Sequence, residues 1–395
     1  MDYSKIISER IKDVRPSGIR KYFDLLNEMP NAISLGVGEP DFITPMSIRQ
    51  AGIDSIMAGE TKYSSNAGWI ELRKSLSKYL QSRFNVKYEP TTEITVTVGG
   101  SEALDLSLRV MINEGDEILV MEPGYVSHEA LVRICGGVYV PLLLNDKNDF
   151  KLTPEIIEKQ ITPKTKAILI GYPNNPTGAI MTREELMSIV PVIIKHNLMV
   201  ISDEIYAELT YEGEHCSVAS LPGMWERTIL VQGFSKSFSM TGWRVGCVCA
   251  PKEISQQIFK IHQFAIMSAP TLGQHAARFA LEDAFLNDYK LVRQMRDEYN
   301  DRRQFMLKSF HDMGLPCFEP KGAFYMFPCI KGLNVTSDEF AVRLLMEHKV
   351  LVVPGESFGL SGAGYLRCCY ATSMKNIEKA MQEIAALVTK IRQGK

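Results

Sequence analysis

Apolar and polar positions change period several times along this chain, and the changes divide it. Short runs rich in Ile, Val and Leu recur from residue 93 onward, at Ile94–Val98, Glu117–Met121, Gly137–Leu144, Ala167–Tyr172, Met199–Asp203, Ile229–Val231 and Val245–Ala250. Runs of this length, bounded by Gly, Pro, Asn and Asp, predict buried strands. Helical spacing separates most of them, Arg183–His196 above all. Strands alternating with helices predict an α/β domain around a largely parallel sheet. Upstream, Pro45–Met57 and Trp69–Phe84 predict amphipathic helices on either side of a loop at Thr61–Gly68. The first roughly 30 residues are helical at best, with Pro16-Ser17-Gly18 breaking any longer pattern. Downstream, Asp288–Met313 predicts a long charged helix, followed by short mixed elements through Tyr365–Ala371. The expected organisation is an N-terminal segment over 1–45 that packs with the small domain, a large domain over 46–285, and a smaller α+β domain over 286–395.

In parallel sheets ligands collect at the carboxyl ends of the strands, so chemistry-bearing residues should fall just after the apolar runs. They do. Gly99-Gly100-Ser101-Glu102 follows one run and Tyr125 the next; Asn174-Asn175-Pro176-Thr177-Gly178, Asp203-Glu204-Ile205-Tyr206 and Ser235-Lys236 follow others. One shared site is expected. The earlier Gly36-Val37-Gly38 opens no helix and lacks a third glycine, so a dinucleotide fingerprint is not supported.

Composition narrows the partners. The 395-residue chain is 45% hydrophobic and 23% charged, with 44 basic and 46 acidic side chains and a formal net charge of -2. No basic patch speaks for nucleic acid, and no apolar stretch reaches the ~18 residues that span a bilayer. The N-terminus lacks the apolar core of a signal peptide, so a cytoplasmic location is expected. No C-x-x-C pair occurs among the cysteines. Cys247 and Cys249, two apart on a strand, share one face and read as small packing residues; metal ligation or a redox pair is the alternative, and no metal is expected.

Lys236 stands in a turn of small residues (Gly233, Ser235, Ser237, Ser239) with Arg244 further along the stretch. A lysine there suits a covalent amine nucleophile beside a bound anion; the alternative is a solvated surface lysine. Pyridoxal phosphate is a cofactor whose needs the neighbouring motifs meet. Its aldehyde requires an amine kept partly unprotonated, which burial and a nearby cation achieve. Its phosphate requires backbone N–H groups at a helix start, hydroxyls and a fixed cation, and Gly100, Ser101, Glu102, Ser235 and Arg244 supply them. Its ring nitrogen stays protonated beside a buried carboxylate, for which Asp203 is placed. Tyr206 and the Asn175 amide are candidates for the ring's 3-oxygen, and Tyr125 offers an aromatic face. Taken alone, Gly99-Gly100 is also a plain tight turn and Tyr125 also a core tyrosine. An amino-acid carboxylate calls for a bidentate arginine. Arg367, inside an apolar strand pattern, awaits an anion or makes an internal salt bridge.

With these residues assembled, the chain resembles the class I/II, fold-type I, pyridoxal-phosphate-dependent aminotransferases, in the aspartate/aromatic subgroup common in bacteria. The likeness runs from Gly36-Val-Gly-Glu-Pro-Asp-Phe42 to Tyr365-Leu-Arg367. Its most specific pieces are Asn175-Pro-Thr-Gly178, Ser202-Asp-Glu-Ile-Tyr206 and Ser235-Lys-Ser-Phe-Ser-Met-Thr-Gly-Trp-Arg-Val-Gly246. The resemblance implies a large domain with a mostly parallel, seven-stranded-type sheet flanked by helices, plus a smaller α+β domain. It implies Lys236 as the aldimine lysine and general base, Asp203 at the pyridinium, and Asn175 and Tyr206 on the 3-oxygen. Around the phosphate it places Ser101, Glu102 through its backbone, Ser235 and Arg244; on the substrate carboxylate, the Gly38 backbone, Asn175 and Arg367. Tyr63 resembles the tyrosine that this family sends to the neighbouring subunit's phosphate, which implies a homodimer with shared active sites.

The implied reaction is ping-pong transfer of an amino group from an L-amino acid to a 2-oxo acid, 2-oxoglutarate above others. Some aspartate-using relatives carry a lysine after the paired glycines, where this chain has Ser101. A distal carboxylate would then need another cation, such as Arg20 or Lys21 if the N-terminal segment folds over the site. Ser17-Gly-Ile-Arg20, Asn66-Ala-Gly68, the Ser202–Tyr211 run and Gly322-Ala-Phe-Tyr325 look most like enzymes described as aromatic or N-acetyl-diaminopimelate aminotransferases. Aromatic or large neutral amino acids are therefore expected; aspartate, N-acetyl-diaminopimelate and a lyase reaction on the same cofactor are the alternatives. A non-catalytic regulator would carry an added DNA-binding module, for which the family-like region, beginning near residue 33, leaves no room.

Overall fold

The structure, a computed structural model, describes residues 1–395 except Asp13, Arg15, Ser17, Glu28, Pro30 and Lys395, and leaves aside the side chains of Phe23 and Asn27. The described residues form twelve strands, numbered in chain order. β1 is Ile33–Ser34, β2 Ile94–Thr97, β3 Glu117–Glu122, β4 Val138–Leu143, β5 Thr165–Gly171 and β6 Met199–Asp203. β7 is Thr228–Gly233, β8 Gly246–Cys249, β9 Tyr325–Met326, β10 Val350–Leu351, β11 Val353–Pro354 and β12 Leu366–Cys369.

The central sheet has seven strands in the order β2-β8-β7-β6-β5-β3-β4. Only β8 runs against its neighbours β2 and β7; the other pairings are parallel. Strands β2, β6 and β7 are almost wholly buried, which is why they read as continuous apolar runs rather than alternating ones. Helices cover the sheet on both faces. Among them, Arg183–Lys195 starts at a capping box in which the Thr182 side chain accepts from the Glu185 N–H and the Glu185 carboxylate accepts from the Thr182 N–H. The strands expected from the sequence are all present. Their ends shift by a residue or two, since β8 begins only at Gly246.

Two smaller sheets lie in the last third of the chain and its N-terminal partner. β1 pairs with β10 in parallel, and β11-β12-β9 form an antiparallel sheet. The Cys369 N–H donates to the Leu35 carbonyl at 2.7 Å, which stitches the Ile33–Gly38 segment beside β12. That stitch carries Gly36 and Gly38 to the edge of the large sheet. The long charged helix runs Lys290–Asp312, later than its charge pattern begins, because Asp288 and Tyr289 both take left-handed φ angles of 47° and 54° and break it from the preceding helix. Buried Arg302 on this helix donates to both carboxylate oxygens of Asp41 at 2.8 and 2.9 Å, anchoring the Gly36–Phe42 loop. Among the described residues no helix is long and apolar enough to cross a membrane, and no cluster of His, Cys, Asp and Glu could hold a metal ion. All eight cysteines are free thiols; Cys247 and Cys249 are fully buried in β8, where burial pushes the Cys249 thiol up.

Candidate active site

Strands β2, β3, β5, β6 and β7 point the same way, so their carboxyl ends share one edge of the sheet. A cavity of about 500 Å³ opens there. Lys236 lies in the short helical turn Phe234–Ser237 after β7. Its ammonium donates to the Gly38 carbonyl at 2.7 Å and sits 5.8 Å from the Tyr206 ring centre and 5.7 Å from that of Phe324. Burial pulls this amine down from the ordinary lysine value to about 8; Cys369 and Glu39 oppose the shift, and the nearby Arg367 and Arg244 add to it. The buried amine therefore gives up its proton more readily than an ordinary lysine.

Arg244 takes a left-handed φ of 53°, and its guanidinium donates to the Thr241 carbonyl at 3.0 Å and the Val98 carbonyl at 3.4 Å. It lies against the first turn of the Gly99–Arg109 helix. Only glycine allows this: Gly99 has φ 72°, and a Cβ there would stand 2.8 Å from the Arg244 Nη2. A Cβ on Gly100 would meet Ile205 at 2.9 Å. Helix-start N–H groups, Ser101, buried Ser235 and Arg244 thus converge on one end of the cavity. The Glu102 carboxylate turns away from it. Glu102 accepts from the Val98 N–H and pairs with His262 Nδ1 at 2.6 Å, while His262 Nε2 reaches the Asn66 carbonyl at 2.9 Å. Glu102 contributes through its backbone position, and its side chain ties the helix start to the Thr61–Gly68 loop.

Along the sheet edge, Tyr125 caps the Val126–Ile134 helix and meets the His128 ring edge-on at 5.5 Å. His128 Nε2 lies 3.3 Å from Asp203 Oδ2, and Asp203 Oδ1 accepts from the Ile205 N–H at 3.3 Å. Strand alternation decides which acid faces the cavity. Asp203 lines it, while Glu204 turns behind the sheet to Ser202, Ser217 and His215. His128 Nδ1 is buried with no partner.

At the other end, Arg367 donates to Asn175 Oδ1 at 3.0 Å and to the Gly36 carbonyl, and stacks between the Tyr325 and Phe358 rings at 4.6 Å from each. It is 3% exposed, its Nε is buried without a partner, and no carboxylate pairs with it among the described residues. The internal salt bridge is thereby replaced by a neutral cradle, leaving the positive charge for an incoming anion. The Asn175 amide oxygen is taken by Arg367, which leaves its N–H groups for the cavity. The Gly38 carbonyl serves Lys236 in this structure, a partner the sequence did not suggest. The Tyr206 hydroxyl meets the Tyr325 hydroxyl at 2.7 Å.

Most residues anticipated from the sequence line one cavity: Gly38, Gly100, Ser101, Tyr125, Asn175, Asp203, Tyr206, Ser235, Lys236, Arg244 and Arg367. Tyr63 does not; it is 81% exposed and outside the cavity. Arg20 and Lys21 do not supply a cation either. Lys21 pairs with Asp338 at 2.9 Å, Arg20 is exposed, and the residue that this segment turns into the cavity is apolar Ile19. Ser17, next to them, is outside the described residues. Sequence reasoning missed His128, whose signal was its place three residues after Tyr125 on the same helix face. It also missed the role of Tyr325, which no local pattern marks.

The donor set fits pyridoxal phosphate. A glycine-lined cradle with a fixed guanidinium accepts a dianion, a carboxylate faces the cavity's middle, and a lysine with a lowered amine stands opposite.

The known proteins similar to this chain include aminotransferases. The family model described as aminotransferase class I and II matches residues 30–384. The chain is 42% identical over 379 residues to an aspartate aminotransferase of Pyrococcus abyssi, covering 96% of this chain and 97% of that protein. It is 40% identical to aromatic-amino-acid aminotransferase 2 of Thermococcus litoralis, with 96% and 97% covered. Among solved structures, an aromatic aminotransferase from Pyrococcus horikoshii superposes with a TM-score of 0.89 at 39% identity, covering 94% of this chain and 99% of that one.

Proposed function

The chain belongs to the class I and II aminotransferases, and from that premise we propose that it binds pyridoxal phosphate and moves the amino group of an aromatic or large neutral L-amino acid to 2-oxoglutarate. The observation that carries the reading is the cavity at the sheet edge, where a partly buried lysine amine lies between a phosphate-type cradle and an arginine with no carboxylate partner.

When bound, the cofactor supplies an aldehyde carbon for the amino group and a ring that takes up electrons from the substrate Cα. The chain's own residues do the rest. Ser101, Ser235, Arg244 and the start of the Gly99–Arg109 helix hold the phosphate. Asp203, steadied by His128 and the Ile205 N–H, keeps a positive ring nitrogen in place. Arg367 and the Asn175 N–H groups orient the substrate carboxylate. The Lys236 amine takes and returns the Cα proton. Tyr63, exposed on its own protomer, reaches the partner's phosphate in a cytoplasmic homodimer.

The substrate preference rests on what surrounds the cavity mouth. Within one protomer, Lys236, Arg244 and Arg367 are the lysine and arginine side chains lining it among the described residues, and each has a task. Ile19 adds apolar surface, and Glu39, held by Thr241, adds a negative charge that opposes a distal carboxylate. Steady-state rates with phenylalanine, aspartate and N-acetyl-diaminopimelate, each against 2-oxoglutarate, test it. Phenylalanine should have the highest kcat/KM, and a preference for aspartate would overturn the assignment. Lys236→Ala should lower turnover by about 10²–10⁴ or more; an unchanged half-reaction would remove Lys236 from the mechanism.

A further inference from the structure

The Tyr325 ring packs against Arg367, but its hydroxyl, which lies among the cavity-lining residues, has no task in the reaction assigned so far. It is fully buried at the start of β9, in register with Cys369 of β12. Its oxygen lies 2.7 Å from the Tyr206 oxygen and close to Gly38, where a Cβ would stand 2.4 Å from it. Glycine at 38 is thus required by the Tyr325 hydroxyl.

The two phenols have two protons to place and one hydrogen bond between them. Burial raises both phenols above the ordinary tyrosine value, so the two oxygens carry two protons and share one hydrogen bond. One proton lies between them and the other must find an acceptor elsewhere. The described residues offer neither oxygen another partner. The phenol that donates within the pair is the more acidic one. Arg367 stacks on the Tyr325 ring with its guanidinium carbon 4.6 Å from the ring centre, and a positive charge so placed favours proton donation by the Tyr325 hydroxyl.

We propose that Tyr325 is a positioning residue for the reaction: it donates to the Tyr206 oxygen and so turns the Tyr206 O–H toward the bound cofactor's 3-oxygen. This rests on the cofactor reading above and specifies how the chain sets the strength of that contact. An O–H that itself accepts a hydrogen bond is a stronger donor. A stronger donor at the 3-oxygen draws electron density from it and favours loss of the proton held between that oxygen and the Lys236 nitrogen. Tyr325 thereby lowers the pH at which that proton leaves.

The test is a visible-absorbance pH titration of the cofactor-loaded protein. Tyr325→Phe keeps the ring that Arg367 stacks on and removes only the hydroxyl. Its midpoint should rise by a few tenths of a unit to about one unit. Tyr206→Phe should raise it further, and Tyr206→Phe with Tyr325→Phe should match Tyr206→Phe alone, because Tyr325 acts through Tyr206. If Tyr325→Phe fails to fold, Gly38→Ala displaces the Tyr325 hydroxyl while keeping it. The same upward shift, lost in a Tyr206→Phe background, is then expected; a shift that persists there arises through Lys236 and counts against the relay. An unchanged midpoint in Tyr325→Phe, or additive shifts in the double variant, overturns the proposal and leaves the cofactor reading standing. A wild-type protein with no pH-dependent visible band, or a Lys236→Ala variant that keeps it, overturns both.

Discussion

Lys236 shows most directly how an individual residue's chemistry depends on its surroundings. Its value of about 8 in the folded chain lies below the ordinary lysine value of 10.5, so between those two pH values the unfolded chain binds more protons than the folded one. Stability of the cofactor-free protein therefore rises with pH across that window, and below pH 8 the whole cost of burying an ammonium is present. Lys236→Met should stabilise the cofactor-free protein at pH 7 by about 2 kcal/mol, allowing for the water the cavity admits. The gain should shrink toward zero above pH 10.5. Urea denaturation at pH 7 and near pH 10.5 measures both, and a variant less stable at each would contradict the account. The sequence marked Lys236 and Asp203 because each ends an apolar run. It did not mark His128 or Tyr325, because the partners that give them meaning, Asp203 and Tyr206, lie 75 and 119 residues away.

At the level of the element, the start of the Gly99–Arg109 helix does the most. Gly99 combines a positive φ with the close approach of Arg244, so Gly99→Ala meets backbone strain and a guanidinium clash together. It should destabilise the protein by about 1–3 kcal/mol and weaken cofactor retention, read by denaturation and by equilibrium titration with pyridoxal phosphate. Thr182→Ala, at the capping box of Arg183–Lys195, gives the contrast: about 1 kcal/mol of stability lost with kinetics unchanged. A change in kcat there would show coupling that the geometry does not contain. Element type was legible because buried parallel strands and amphipathic helices differ in period. Element ends were less so, since Asp288 and Tyr289 stop a helix by left-handed backbone that their side chains do not announce.

For the whole molecule, the large sheet and the C-terminal elements are joined at the site. Glu122, at the end of β3, accepts from the Tyr139 hydroxyl at 2.6 Å and from the Ser361 N–H at 2.9 Å, across a glycine, Gly359, that leaves room for its side chain. The loop so held carries Phe358, one of the two rings against Arg367. Glu122→Gln should raise KM for the amino acid about tenfold with little change in kcat, the size expected from losing one charge-assisted hydrogen bond. A fall in kcat alone would argue that the loop does not position Arg367. The homodimer reading predicts a solution mass of twice the 44.4 kDa chain, and Tyr63→Phe should weaken cofactor retention although Tyr63 lies outside its own protomer's cavity. A monomer by sedimentation would end that reading. By itself the sequence determined the α/β class, the parallel sheet and the turns where chemistry would fall, because period and the carboxyl-end rule are local properties of the chain. It named Lys236, Asp203 and Asn175 for the same reason, and Arg244 and Arg367 because a phosphate and a carboxylate each call for a fixed cation. Only the tertiary structure decided that Arg367 is cradled by an amide and a carbonyl instead of an acid, that Ile19 and not Arg20 enters the cavity, and that Tyr325 stands behind Tyr206. Those are pairings between distant segments, and what selects them is packing between the large sheet and the C-terminal elements, which no local pattern carries.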